Sequence, residues 1–368
     1  MIRNSRTPSK GRVLAGYGAA AALLAAAPLY LSDFRLNLLA KFLALGIVAL
    51  GIDLLWGYAG VLSLGQGVFF GMGAYCMAMH LKLEATEGKL PDFMSWSGLD
   101  RLPAFWVPFQ NFAFALAMAV LLPAFLAFVL GWFTFRNRVR GVYFTILTQA
   151  LVIIAVTLLV GQQGYTGGTN GITSFKTVFG FPLSDPAVKT ALYYVTAAAL
   201  AGSFLFCRRI AKSRLGRVLQ AIREGENRVR FFGYDPAAYK SFAFAVSAGL
   251  AGLSGMLYVF HVGIISPSMM GIVPSIEMVL WVAAGGRGTL IGAVVGALVL
   301  NGAKSLISEA YPDIWLLFLG AMFVIVVVLM PKGLFGTLPS WAETVHGKVK
   351  PDETGAVGAV VPKRKRLL

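Results

Sequence analysis

Side chains able to do chemistry are few in this chain, and none forms a catalytic set. Glu277 reads as the one acidic residue in the interior of an apolar segment, just after Pro274. A carboxylate in that setting could hydrogen-bond a substrate amide or pair with an inner cation such as Arg287. Uncharged polar groups stand in other apolar segments: Ser63, Gln66, Thr145, Thr148, Gln149 and Asn301, with Trp281 one turn beyond Glu277. Amide and hydroxyl groups suit a path for a small neutral solute such as urea. Each of them also suits helix-to-helix hydrogen bonding. An amino acid would instead need partners for its carboxylate and its ammonium. Cys76 and Cys207 lie far apart, and His80, His261 and His346 have no neighbours at ligand spacing, so no metal site is expected. No G-x-x-x-x-G-K-[ST] phosphate loop occurs, and Gly302-Ala303-Lys304-Ser305 lacks its Gly-Lys pair. Gly286-Arg287-Gly288 follows no strand, so it is not a dinucleotide site. No H-E-x-x-H or G-x-S-x-G occurs, and nothing marks a hydrolase.

The elements that must position these residues follow from composition. Hydrophobic types make up 57% of the 368 residues and charged types 13%, against roughly 45–50% and about 25% in a soluble domain. Mean hydropathy is +0.73. Soluble, disordered and collagen-like chains are excluded. The expected class is an all-α polytopic membrane protein with about ten transmembrane helices, eight to ten being the range. Apolar runs long enough to span fall near 13–31, 36–56, 60–81, 109–133, 141–161, 190–207, 240–264, 288–307 and 313–331. A shorter one at 272–285 reads as a short or re-entrant segment, tolerated where protein or a cavity covers its backbone. The first run resembles a secretory signal, but further spans follow at once, so it reads as an uncleaved helix.

Net charge is +16. With the N-terminus inside, 24 of the 32 Lys and Arg fall on the inner side. That bias places both termini in the cytoplasm and explains the basic balance without nucleic acid. The expected organisation is a cytoplasmic N-terminus (1–12), a transmembrane domain (13–335) containing a cytoplasmic segment at 208–236, and a disordered cytoplasmic tail (336–368). The Lys363-Arg364-Lys365-Arg366 run in that tail could touch anionic membrane lipid or simply be solvated. Ser63, Gly67 and Gly71, and likewise Gly288, Gly292 and Gly296, recur every four residues. Such small-residue faces let helix backbones approach closely, for packing or for sliding.

The segment Arg208–Lys240 is the one long, highly charged stretch between spans. Leu215, Val218, Leu219 and Ile222 follow the spacing of one helix face. Arg223 and Glu224 fall away from that stripe, and Gly233 with Asp235-Pro236 ends the helix. A short amphipathic helix of this kind can lie on a membrane surface or dock in a partner groove.

The run SRLGRVLQAIREGENRVRFFGYDPAAYK resembles the coupling segment of ABC importer permeases of the branched-chain amino acid group. Gly57-Tyr58-Ala59-Gly60-Val61-Leu62-Ser63-Leu64-Gly65-Gln66-Gly67 and Gly71-Met72-Gly73-Ala74-Tyr75 resemble a signature of the same group. Arg140-Gly141-Val142-Tyr143-Phe144 also fits, and the likeness covers roughly residues 35–335. Within the group, the urea-transporting members are the nearest in Trp281–Gly292, Gly167–Gly171 and Tyr143–Gln149, although a second Asn is expected where Thr169 stands. The resemblance implies a permease subunit in a bacterial-type inner membrane, carrying urea or short amides, with branched-chain amino acids as the alternative. It implies a homologous second permease, two ATP-binding subunits holding ATP-Mg, and an external solute-binding protein. Leu215, Val218, Leu219, Ile222, Phe231 and Phe232 would meet the ATPase, with Arg223 and Glu224 fixing register. Ser63, Gln66, Thr145, Gln149, Glu277, Trp281 and Asn301 would line the solute path. Two alternatives remain: a self-contained channel or carrier, which would show more intramembrane acids or histidines, and an integral-membrane enzyme, which would need a catalytic constellation.

Overall fold

The computed structural model describes residues 22–86, 89–139, 141–175 and 177–310, with a few isolated positions beside them. Nine long helices organise this part. They are α1 (Asp33–Ile52), α2 (Gln66–Ala85), α3 (Phe112–Arg136), α4 (Val142–Gly161), α5 (Pro186–Lys212), α6 (Arg214–Phe231), α7 (Pro236–Val262), α8 (Ile272–Gly285) and α9 (Leu290–Ala310). Among the described residues six helices are long and apolar enough to cross a membrane: α1 with the turn that continues it, α3, α4, α5, α7 and α9.

Six is fewer than the ten expected, for identifiable reasons. The run at 60–81 begins as a helix only at Gln66, because residues 59–65 form an irregular break. The helix that follows, α2, carries Gln66, His80, Lys82 and Glu84, and is buried along most of its length. Its neighbours, not lipid, cover its polar groups. The short segment α8 has 14 residues, about 21 Å at 1.5 Å per residue, too short to cross a core of about 30 Å. Residues 22–30 of the first run are helical. The run at 313–331, the N-terminus 1–12, Arg140 and the tail 336–368 lie outside the described residues, apart from isolated positions.

Local sequence sets the helix starts. Asn111 caps α3 by accepting from the Ala113 and Phe114 N–H groups. Asp-Pro pairs open α5 and α7: Asp185 and Asp235 each accept from the amide two residues on, with proline at the first helical position. Gly233, at φ +84°, makes the turn between α6 and α7. The predicted stop at 233–236 is therefore where the chain turns into the next span.

The core sits where α7 packs on α3, α2 and α1. Backbones meet directly there. A Cβ at Gly255 would collide with the Phe70 carbonyl, and one at Gly73 would collide with Gly252. The two predicted glycine stripes are each broken at one end. Ser63 lies in the irregular break before α2, and Gly288 lies in the turn between α8 and α9 at φ +79°. The remaining members do pack closely: Gly67 and Gly71 against Met270 and Ser275, and Gly292 and Gly296 against α8. Two very short antiparallel ladders add to the helices. Ile172–Thr173 pairs with Ile264–Ile265, and Thr177–Val178 pairs with Phe181–Pro182. The first ties the α4–α5 loop to the end of α7.

Candidate functional site

A cavity of about 440 Å³ opens where α8, α9, α1 and α7 converge. Helical spacing explains who faces it. Pro274, Glu277, Met278 and Trp281 share one face of α8, and Asn301, Lys304, Ser305 and Ser308 share one face of α9. Lys304 donates from Nζ to both Glu277 oxygens, at 2.9 and 2.7 Å. Of the two roles open to Glu277, the structure shows pairing with a cation, and that cation is Lys304 rather than Arg287, whose guanidinium lies 5.2 Å from the centroid of the Trp56 ring. Asn301 spends an N–H on the Ala297 carbonyl at 2.8 Å. Lys41 enters from α1, its Nζ 5.9 Å from the centroid of the Tyr258 ring. Glu309 stands at the rim of the same cavity.

The other predicted path residues lie elsewhere, and two of them, Ser63 and Thr145, bond within the break at 59–65. Thr145 donates to the Leu62 carbonyl at 3.1 Å, and the Leu64 N–H donates to Thr148 Oγ1 at 3.1 Å. Ser63 Oγ accepts from the Gly65 N–H at 3.3 Å. Gln66 Nε2 donates to Ser247 Oγ at 3.1 Å on α7, while its Oε1 is buried with no hydrogen-bond partner. Gln149 is half-buried on α4. The seven residues thus separate into a cavity group (Glu277, Trp281, Asn301) and a pair that bonds irregular backbone (Ser63, Thr145), with Gln66 tied to α7 and Gln149 apart from both.

The charged segment forms α6, which kinks at Gly225. Its apolar stripe turns toward this chain. Leu219 and Ile222 are fully buried, and Leu215 and Val218 are half-buried. Burial against their own chain takes Leu219 and Ile222 away from any partner groove. Phe231 and Phe232 do the opposite, at 91% and 82% exposure. A groove of about 450 Å³ beside them is lined by Arg214, Arg217, Val218, Phe232 and Tyr234, among others. Glu226 fixes the second half of α6 by accepting from Lys240 at 2.7 Å and from Arg230 at 3.2 Å. Arg223 donates to the Gly57 carbonyl and sits 3.7 Å from Glu224.

One acidic residue escaped the sequence reading. Asp53 ends α1 and is wholly buried. It was available as a signal, since the run 36–56 contains it. Among the described residues no group of three or more His, Cys, Asp or Glu could hold a metal ion. His261 is held instead by Asn37 and Thr196, at 3.1 and 2.8 Å.

Comparison with known proteins adds the following. The family described as branched-chain amino acid transport system / permease component matches residues 34–327. The high-affinity branched-chain amino acid transport system permease protein LivM of Escherichia coli is 28% identical over 329 residues, covering 83% of this chain and 71% of the relative. The probable LivM of Methanocaldococcus jannaschii is 24% identical, covering 80% and 90%. BraD of Pseudomonas aeruginosa is 20% identical, covering 79% and 91%. No solved structure gives a significant match.

Proposed function

This chain belongs to the family of branched-chain amino acid transport permease components, and from that premise we propose that it forms one membrane half of an ATP-driven importer. The observation that carries the reading is α6. It is a charged, kinked helix between two spans, anchored inward by Leu219 and Ile222 while Phe231 and Phe232 project outward. Exposed aromatic rings beside an arginine-lined groove suit a protein partner. ATP-binding subunits carrying ATP-Mg dock there from the cytoplasm, with both termini of this chain on the same side. A second, homologous permease completes the path through the inner membrane. An external binding protein delivers solute to the cavity between α8 and α9.

The solute we propose is urea or a short amide. Glu277 and Lys304 neutralise each other, so together they present a polar edge without net charge. Paired N–H groups of urea match a carboxylate edge, and its oxygen matches an ammonium. The motifs shared with urea-transporting members support the same choice. A second reading, branched-chain amino acids, is favoured by the names of the relatives. Lys41 and Glu309 at the same cavity also offer separate charges for a zwitterion.

Uptake of labelled urea and labelled leucine at micromolar concentration separates them, in cells with and without this chain and with equal urease activity. Loss of urea uptake alone on deletion supports urea. Loss of leucine uptake alone moves the chain to the amino acid reading, and loss of neither removes both solutes.

A further inference from the structure

Asp53 has a place in the fold that solute binding and ATPase docking do not explain. It opens a π-helical turn, Asp53–Tyr58, that continues α1. Such turns are frequent at functional sites. Two separate parts of the molecule grip this turn. On one side Asp53 Oδ1 accepts from the Gly288 N–H at 2.6 Å, in the turn that joins α8 to α9. The Arg287 guanidinium lies over Trp56 of the same π-helical turn. On the other side Arg223 of α6 donates to the Gly57 carbonyl. Its side chain also fills the space that a Cβ on Gly60 would take. Asp53 Oδ2 is buried with no hydrogen-bond partner among the described residues. Packing alone would be served better by an apolar residue or an amide with fewer unmet bonds.

The connection is physically continuous. The turn 53–60 touches α6, whose Phe231 and Phe232 face outward, and the 286–288 turn, which joins α8 to α9. Those two helices carry Glu277, Trp281, Asn301 and Lys304 at the cavity. We propose that Asp53 is a positioning residue that clasps the α8–α9 turn to the π-helical turn, so that displacement of α6 at Arg223 reaches the solute cavity. The inference rests on the importer reading above. The test measures coupling itself.

The readout is solute transported per ATP hydrolysed by the complete importer in proteoliposomes. Asp53→Ala removes the acceptor for Gly288. The expected result is ATP hydrolysis within about twofold of wild type and a transport ratio at least tenfold lower, about 1.4 kcal/mol of lost coupling. Asp53→Asn keeps an acceptor oxygen and is expected to hold at least half the wild-type ratio. Trp56→Leu opens the second contact and leaves Asp53 in place; a severalfold lower ratio is expected, and it decides the matter if Asp53→Ala does not assemble. An unchanged ratio in the variants overturns the clasp. So does loss of hydrolysis and transport in equal proportion, because that marks a purely structural role. A wild-type complex showing no ATP-driven uptake would sink the importer reading instead, so the two failures are distinct.

Discussion

The Glu277–Lys304 pair should respond asymmetrically to removal of its two members. The carboxylate side chain is 7% exposed and the lysine side chain 36%. Lys304→Met leaves a carboxylate that water barely reaches. Removing one member of a fully buried pair costs about 3–5 kcal/mol, and the exposure of the lysine end reduces that to about 2 kcal/mol. Glu277→Gln leaves an ammonium that can turn to water and still has an amide oxygen nearby, so about 0.5–1 kcal/mol is lost. The double variant removes both charges and should be more stable than Lys304→Met alone. The cycle therefore has a coupling of about 1–2 kcal/mol. Thermal unfolding of the purified permease in lipid nanodiscs measures all four corners at one lipid composition. Additive single effects, within about 0.5 kcal/mol, or a greater loss from Glu277→Gln than from Lys304→Met, would refute the reasoning.

Gly255→Ala drives a methyl into the Phe70 carbonyl and should cost at least about 2 kcal/mol or stop the protein accumulating, as overpacking of rigid backbone does. Gly202→Ala on α5 meets nothing within 4 Å and should leave the melting temperature unchanged or raise it, by up to about 1 kcal/mol of stability. Phe231→Ser with Phe232→Ser should leave the fold intact and weaken co-purification of the ATP-binding subunits at least tenfold; Ile222→Asp, a buried position, should instead destabilise the permease itself. Equal ATPase recovery from the Phe231/Phe232 variant would remove α6 as the docking element. Cys76 and Cys207 are buried, so a single new cysteine can report sidedness. A maleimide confined to the cytoplasm should label Asn227→Cys on α6 and spare Ser97→Cys in the α2–α3 loop, and the reverse pattern would invert the topology.

Hydropathy marked the long apolar helices well, because α3, α4 and α5 face outward with little polar interruption. In α2 the polar residues Gln66, His80, Lys82 and Glu84 lower the hydropathy, and other helices bury most of its length. A span count from composition treats both cases alike. Residues that bond through backbone were equally hard to place. Ser63 and Thr145 are hydroxyls in apolar runs, which reads as a lined path, yet they serve the carbonyl and amide groups of a helix break. The stripe on α6 was visible as a stripe, but periodicity says only that one face is apolar and cannot say which neighbour covers it. Leu219 and Ile222 show that the neighbour is this chain.

The partners of the two acids are hidden for one reason. Sequence distance offers Arg287, ten residues on, as an example of a cation for Glu277, and offers nothing for Asp53. Ten residues of helix are about 15 Å, and Arg287 sits in the turn where α8 ends, so it cannot reach back to mid-helix. A tight turn at 286–288 makes α8 and α9 antiparallel neighbours, and that geometry brings residue 304 opposite residue 277. The same turn needs a buried acceptor for the Gly288 N–H, which the end of α1 supplies from 235 positions away. Both assignments follow once the hairpin is known, and neither follows from sequence distance. The hairpin also separates the two acids by function. Glu277 lies toward the cavity end of α8 and Asp53 at its turn end. On the proposed clasp, movement that enters through α6 at Arg223 runs along the α8–α9 pair to the solute cavity. A stiff, closely packed hairpin is the element for that task, and Gly285, Gly292 and Gly296 are where its backbones touch.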